Sequence, residues 1–408
     1  MGDTLSREIL ALYGGKPIRD RPLPPMYPGA MFIDEREERA VLEVLKSKSL
    51  FRYYGPNFLG KVAEFEKAFA NYIGVKHCLA VTSGTASLHV ALRALEVKQG
   101  DEVVVPAYTW VSTAAMVVAV GATPVVVGVD KSLNLSPEAF EKNITDRTKV
   151  VIPVHMRGAP AEMDEIIKIA EENNIKVLED VAQACGGSYK GKKLGSIGDV
   201  GAFSFQLNKN MTAGEGGAIT TNDEDIYRRA VACHDVAAYY RNLDYVPPML
   251  GLNFRMNEVS GAILIEQLKK LDDIVSRMRE NKFKIRKALK ELSEIELREL
   301  TDEKGDTGVC IIFFLKSSKM ANEFARALSA ENIGAGTLYS PERVDGHIYE
   351  YWKPLFGDKM KVDQESCKAS LDLLSRAVHI SVSPLLTEED VNSIIEGIEK
   401  VAKGLGIT

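Results

Sequence analysis

One lysine set among small residues is where this chain first promises chemistry. The run Gly201-Ala202-Phe203-Ser204-Phe205-Gln206-Leu207-Asn208-Lys209-Asn210-Met211-Thr212-Ala213-Gly214-Glu215-Gly216-Gly217 opens as an apolar strand and closes on three glycines around one acid. Glycines permit a tight turn, so Lys209 sits on a loop that other segments can approach closely. An ammonium that loses hydration has a lowered pKa, and the neutral amine can condense with an aldehyde. Lys209 is therefore either a surface charge or a Schiff-base nucleophile, and its company decides. The strand Lys176-Val177-Leu178-Glu179-Asp180 ends in an acid and is followed by Val181-Ala182-Gln183. At a strand's carboxyl end in an open α/β sheet, Asp180 points into the ligand crevice.

Pyridoxal phosphate would use both groups. An ionised Asp180 beside the ring nitrogen keeps it protonated and makes the ring an electron sink, and Gln183 is placed to reach the phenolic oxygen. Asp180-Val181-Ala182-Gln183, the Ser204 to Lys209 spacing and Gly214-Glu215-Gly216-Gly217 resemble the DegT/DnrJ/StrS family of pyridoxal-phosphate-dependent sugar aminotransferases, from about Phe51 to the C-terminal helix. The resemblance implies a fold-type I enzyme in which Lys209 holds pyridoxal 5'-phosphate as an internal aldimine. It further implies a ping-pong reaction through pyridoxamine 5'-phosphate, with glutamate as amino donor and a keto or aldehyde carbon of a sugar as acceptor. Sugar dehydratases of the same fold carry histidine in place of the lysine, so Lys209 argues against that alternative.

The remaining contacts are expected at strand ends. Cys78-Leu79-Ala80-Val81 leads through Thr82-Ser83-Gly84-Thr85 into an amphipathic helix, whose free N-terminal amides suit a dianionic phosphate. The resemblance gives Gly84 and Thr85 that role, counts Ser204 among the cofactor contacts and lays Trp110 flat on the pyridine ring. It also implies that Asn253, in Gly251-Leu252-Asn253-Phe254-Arg255-Met256, reaches the cofactor phosphate of a neighbouring subunit, which calls for a homodimer with shared active sites.

Substrate contacts are expected from Arg52, His155, Arg157 and Arg255. Arg52, in an aromatic loop, reads equally as an exposed charge or as a cation facing an anionic substrate. His155 fits the family pattern as a structural histidine or a ligand, whereas Arg157 departs from it, as an outward charge or part of an anion site. Such arginines suit a carboxylate or monophosphate. Their segments resemble the branch that aminates an acidic octulosonate sugar, beside relatives acting on nucleotide-linked keto-sugars and those forming cyclitol amines or aminohydroxybenzoate.

To position these residues the chain must alternate strand and helix. Helices are expected over 34–48, 62–72, 136–142, 163–173, 258–292 with a break near Leu271-Asp272-Asp273, 318–331 and 387–402, the last begun by a capping box from Thr387 to Asp390. Strands between them give an α/β architecture: a large three-layer α/β/α domain with a mainly parallel sheet over 31–270, then a linking helix and a smaller α+β C-terminal domain over 271–408. Residues 1–30, with Gly14-Gly15-Lys16-Pro17 and Pro22-Leu23-Pro24-Pro25, read as an irregular arm. A length of 408 residues supports two cores, and 45% hydrophobic with 26% charged residues is ordinary globular composition. A net charge of -6 without a basic cluster speaks against nucleic acid, and the absence of a long apolar run speaks against a membrane span and for the cytoplasm. The five scattered cysteines form no CxxC pair, so neither a metal site nor a disulfide frame is expected.

Overall fold

The computed structural model describes residues 9–241 and 245–407; the first eight residues of the expected arm lie outside them. Its main sheet runs His77–Val81, Gly217–Thr221, Val200–Ser204, Lys176–Asp180, Thr148–Val151, Glu102–Pro106, Thr123–Val127 and Lys361–Val362 in spatial order. Gly217–Thr221 is antiparallel to both neighbours, and the other pairings are parallel.

Alternation along the strands creates the three layers. Leu79, Val81, Val103, Val105, Leu178 and Ile219 face a core completed by the helices Gly84–Ala94, Ser112–Ala119 and Glu224–His234. Their neighbours Cys78, Ala80, Val104, Val177 and Ala218 face the opposite core, under Lys61–Ile73, Met163–Glu172 and Glu258–Leu268. Successive side chains of a strand point to opposite faces, so apolar runs buried on both sides are what a covered parallel sheet requires.

A second sheet, Glu296–Leu297, Cys310–Phe314, Ala377–Ser381 and Ala335–Thr337, is antiparallel throughout. Ile311, Phe313, Val378 and Ile380 pack under Ser318–Ala330 and Glu388–Leu405, while Cys310, Ile312 and Phe314 meet Tyr108, Val154 and Met156 of the main-sheet loops. The second contact closes one side of the crevice at the strands' carboxyl ends. The long helix breaks where expected, into Glu258–Leu268 and Leu271–Leu289, and Thr387 and Asp390 form the capping box.

Two features depart from the pattern. Lys361–Val362 returns from the C-terminal part of the chain to extend the main sheet beside Thr123–Val127. The described part of the arm lies on its own chain: Leu10 is buried in the small-sheet core, Arg19 pairs with Asp390 at 2.7 Å, and Ser383 donates to the Pro25 carbonyl. All five cysteines are buried and free, and no described helix is long and apolar enough to cross a membrane.

Candidate active site

The loop after Val200–Ser204 is pinned from several sides, which fixes where Lys209 points. The Lys209 N–H donates to the Gln206 carbonyl and its own carbonyl accepts from Gly29, while Asn210 donates to Cys185 and Thr212 to Phe205. Gly214, at φ +79, then turns the chain in a conformation that favours glycine. The lysine side chain enters a cavity of about 400 Å³ that also holds Asp180, Gln183, Ser204, Trp110, Gly84 and Thr85. Seven residues singled out from separate stretches of sequence thus share one wall.

Asp180 is 4% exposed at the end of its strand. Its Oδ1 accepts from the Ala182 N–H (3.1 Å) and its Oδ2 from the Thr113 hydroxyl (2.9 Å), which in turn lies 2.8 Å from the hydroxyl of Thr109. Among the described residues no cation bonds to it directly. Burial therefore pushes its carboxyl above the ordinary value, against those hydrogen bonds and the charge of Lys209. Burial likewise holds the Lys209 ammonium below the usual lysine range; Asp180 opposes this and Arg157 adds to it. A buried acid lacking a cation, opposite a lysine with a weakened hold on its proton, fits a ligand that is cationic at a ring nitrogen and aldehydic beyond it.

Gly84 opens the helix Gly84–Ala94, capped by the Ser83 side chain. A Cβ on Gly84 would lie 2.6 Å from the Ser204 Cβ, so the helix end approaches the strand only because the residue is glycine. Thr85 is exposed into the cavity with its hydroxyl 3.0 Å from Ser112 Oγ. Free amides at a helix end beside hydroxyls have the chemistry a bound phosphate needs. Trp110 is half exposed and lines the cavity edge, its ring 5.0 Å from that of His347. Gln183 accepts from the Arg157 N–H (3.1 Å) and its Nε2 lies 3.4 Å from His347 Nε2.

The expected substrate cations are mostly engaged elsewhere. Arg52 is buried, paired with Glu66 and donating to the Ala80 carbonyl, so it is a structural cation rather than a substrate contact. His155 is fully buried between Glu179 Oε2 (3.1 Å) and the Ala161 N–H (3.1 Å); it takes the structural of its two readings. Arg255 pairs with Asp235 at 2.6 Å beside the Phe51 ring, which corrects its reading as a carboxylate clamp. Only Arg157 lies beside Lys209 in a cavity. Asn253 is exposed, bridged to Asp235, and is not part of this chain's cavity wall.

Arg52→Ala is expected to destabilise the fold by about 3–5 kcal/mol, because it leaves the Glu66 carboxylate, 13% exposed, without its cation. Thermal denaturation checks this; an unchanged melting point would return Arg52 to the list of free cations.

Three residues of the site carried no clear sequence signal. Thr113 orients Asp180 and is legible only as the partner of Thr109 four residues earlier. His347, its Nδ1 2.7 Å from Asp345, holds that acid down at about 2 and lines the same cavity, while His379 from the strand Ala377–Ser381 lines a neighbouring cavity that Lys209 also borders. Both come from the C-terminal part of the chain, where only the Asp345-x-His347 pairing could have pointed to one of them.

Residues 32–399 match the model of the DegT/DnrJ/EryC1/StrS aminotransferase family. GDP-perosamine synthase of Caulobacter vibrioides is 33% identical, over 93% of this chain and 99% of that protein. An aminotransferase structure from Psychrobacter cryohalolentis superposes with a TM-score of 0.81 at 29% identity, covering 94% of this chain and 100% of that one. The E. coli GDP-4-keto-6-deoxy-D-mannose-3-dehydratase with bound hydrated PLP superposes with a TM-score of 0.79 at 26% identity, covering 93% and 100%. Fold, cavity and similarity over nearly the whole length agree: the chain belongs to the DegT/DnrJ/EryC1/StrS aminotransferase family.

Proposed function

We propose that this protein is a pyridoxal-phosphate-dependent aminotransferase that moves an amino group from glutamate to a keto or aldehyde carbon of a sugar. The observation that carries the reading is the meeting of Lys209 and Asp180 in one cavity, each with its proton affinity displaced by burial. Pyridoxal phosphate, when bound, supplies an electrophilic carbonyl and a ring able to take up electrons.

This chain's residues do the rest. With the cofactor bound, the Gly84 and Thr85 amides and the Thr85 and Ser204 hydroxyls would hold its phosphate, Trp110 would form a wall for the ring, and Gln183 would donate to its phenolic oxygen. Asp180, kept in register by Thr113, would keep a proton on the ring nitrogen. Lys209 Nζ in its neutral form takes the proton from the donor's α-carbon and, as ammonium, hands one back. Lysine at this position supports amino transfer over dehydration. Asn253, exposed on its own subunit, is suited to complete the phosphate site of a second copy, so we read the active form as a homodimer.

Mixing the holoenzyme with glutamate alone is expected to bleach the visible absorbance of the bound cofactor and release stoichiometric 2-oxoglutarate. Adding a keto-sugar should then restore the absorbance. A spectrum indifferent to every amino donor would contradict the reading.

A further inference from the structure

A second cavity, of about 300 Å³, shares Lys209, Gln183 and His347 with the first but opens toward the small sheet instead of toward Gly84 and Thr85. Arg157, His379, Ser381 and Asn210 line it. Its charge is one-sided. Arg157 gives Nε to the Tyr108 hydroxyl (3.1 Å), and among the described residues no carboxylate pairs with its guanidinium. Behind it, Arg298 is 2% exposed, donates to the carbonyls of Ser132 and Met156, and leaves Nη1 without a partner.

Of the nearby acids, Asp180 faces Lys209 from the first cavity, and two others are paired. Asp306 pairs with Lys282 at 2.6 Å and Asp345 with His347 at 2.7 Å. Burial, then the charges of Arg157, Arg298 and Arg343, keep His379 neutral. Arg157 is also strained, at φ 54 and ψ 37, and is held there through its N–H to Gln183 and its carbonyl to Cys310 Sγ. Strain of this kind persists where the surroundings over-determine it, commonly at ligand clamps. Cations in a cavity whose described lining carries no carboxylate suit an anion from outside, and the planar guanidinium fork matches a carboxylate best.

We propose that this cavity is a carboxylate subsite in which Arg157 takes the carboxylate of a reactant, with Ser381 and one N–H of His379 as further donors. The proposal rests on the aminotransferase reading, which brings donor and acceptor to Lys209 in turn. The carboxylate belongs to the amino-acid donor, to a sugar-acid acceptor, or to each in its own half-reaction.

The test titrates maleate, a dicarboxylate without an amino or keto group, into the holoenzyme by calorimetry. Arg157→Gln is expected to weaken maleate binding at least about tenfold, the scale of a lost charge-assisted bidentate pair, with Arg157→Lys intermediate. Should Arg157→Gln not fold, His379→Leu is expected to weaken binding by a smaller factor. Rapid mixing then separates the sources. A slower glutamate half-reaction assigns the donor's carboxylate; a slower acceptor half-reaction with carboxylated but not neutral keto-sugars assigns the acceptor's. No maleate binding to the unaltered holoenzyme, or binding that ignores these substitutions, would overturn the subsite. Arg157-dependent maleate binding by a protein that transfers no amino group would leave the subsite standing and sink the aminotransferase reading instead.

Discussion

Replacing Lys209 by alanine is expected to lower turnover by about 10²–10⁴-fold, the range that a positioned proton carrier contributes. The fold should survive. The loop's hydrogen bonds use the Lys209 backbone, from its N–H to Gln206 and from Gly29 to its carbonyl, and alanine keeps both. No hydrogen bond or ion pair of the ammonium is seen among the described residues, so its removal strands no buried partner. Lys209→Arg separates charge from proton transfer. A guanidinium stays protonated and cannot accept a proton from carbon, so arginine should be as inactive as alanine. Turnover retained in the arginine variant would show that Lys209 acts only as a charge. The measurement is kcat beside the melting temperature of each variant.

Asp180→Asn is expected to have the second largest effect, a loss of about 10²–10³-fold in kcat/KM, as a buried charged hydrogen bond worth roughly 3–4 kcal/mol is removed at tenfold per 1.4 kcal/mol. Its effect on the cofactor-free protein should have the opposite sign. Asp180 is an acid whose folded pKa is raised, so its ionised form disfavours the native state at pH above its unfolded value, and that penalty vanishes as pH falls below it. Asparagine removes the charge, retains an acceptor for the Ala182 N–H and can still meet the Thr113 hydroxyl. The apo-protein carrying Asp180→Asn should melt at or above the parent at pH 7 while the holoenzyme is crippled. A fall in both would mean that Asp180 is a structural acid.

The sequence carried the parts of the site that are set locally. Strand ends, a glycine-flanked turn and a helix N-terminus are each written in a few consecutive residues, and these placed Lys209, Asp180, Gln183, Gly84, Thr85 and Trp110 in one cavity. The layered sheet was legible for the same reason, since burial on both faces leaves continuous apolar strands. Partner choice was not legible. Whether Arg52 meets a substrate or Glu66, and Arg255 a ligand or Asp235, depends on how distant segments pack. His155 illustrates the limit: its neighbours Glu179 and Asp180 are adjacent in sequence but point to opposite faces of one strand, and the histidine bonds to the structural one. The small sheet's contribution of His379 and Ser381 to the second cavity beside Lys209 depends wholly on how that sheet docks, which no local pattern encodes.

Reductive trapping followed by peptide mapping tests the central claim most directly. Borohydride treatment of the holoenzyme should fix the cofactor to a single peptide, the one containing Lys209, and leave Lys209→Ala unlabelled. Label recovered on any other lysine, or undiminished in that variant, would contradict the account.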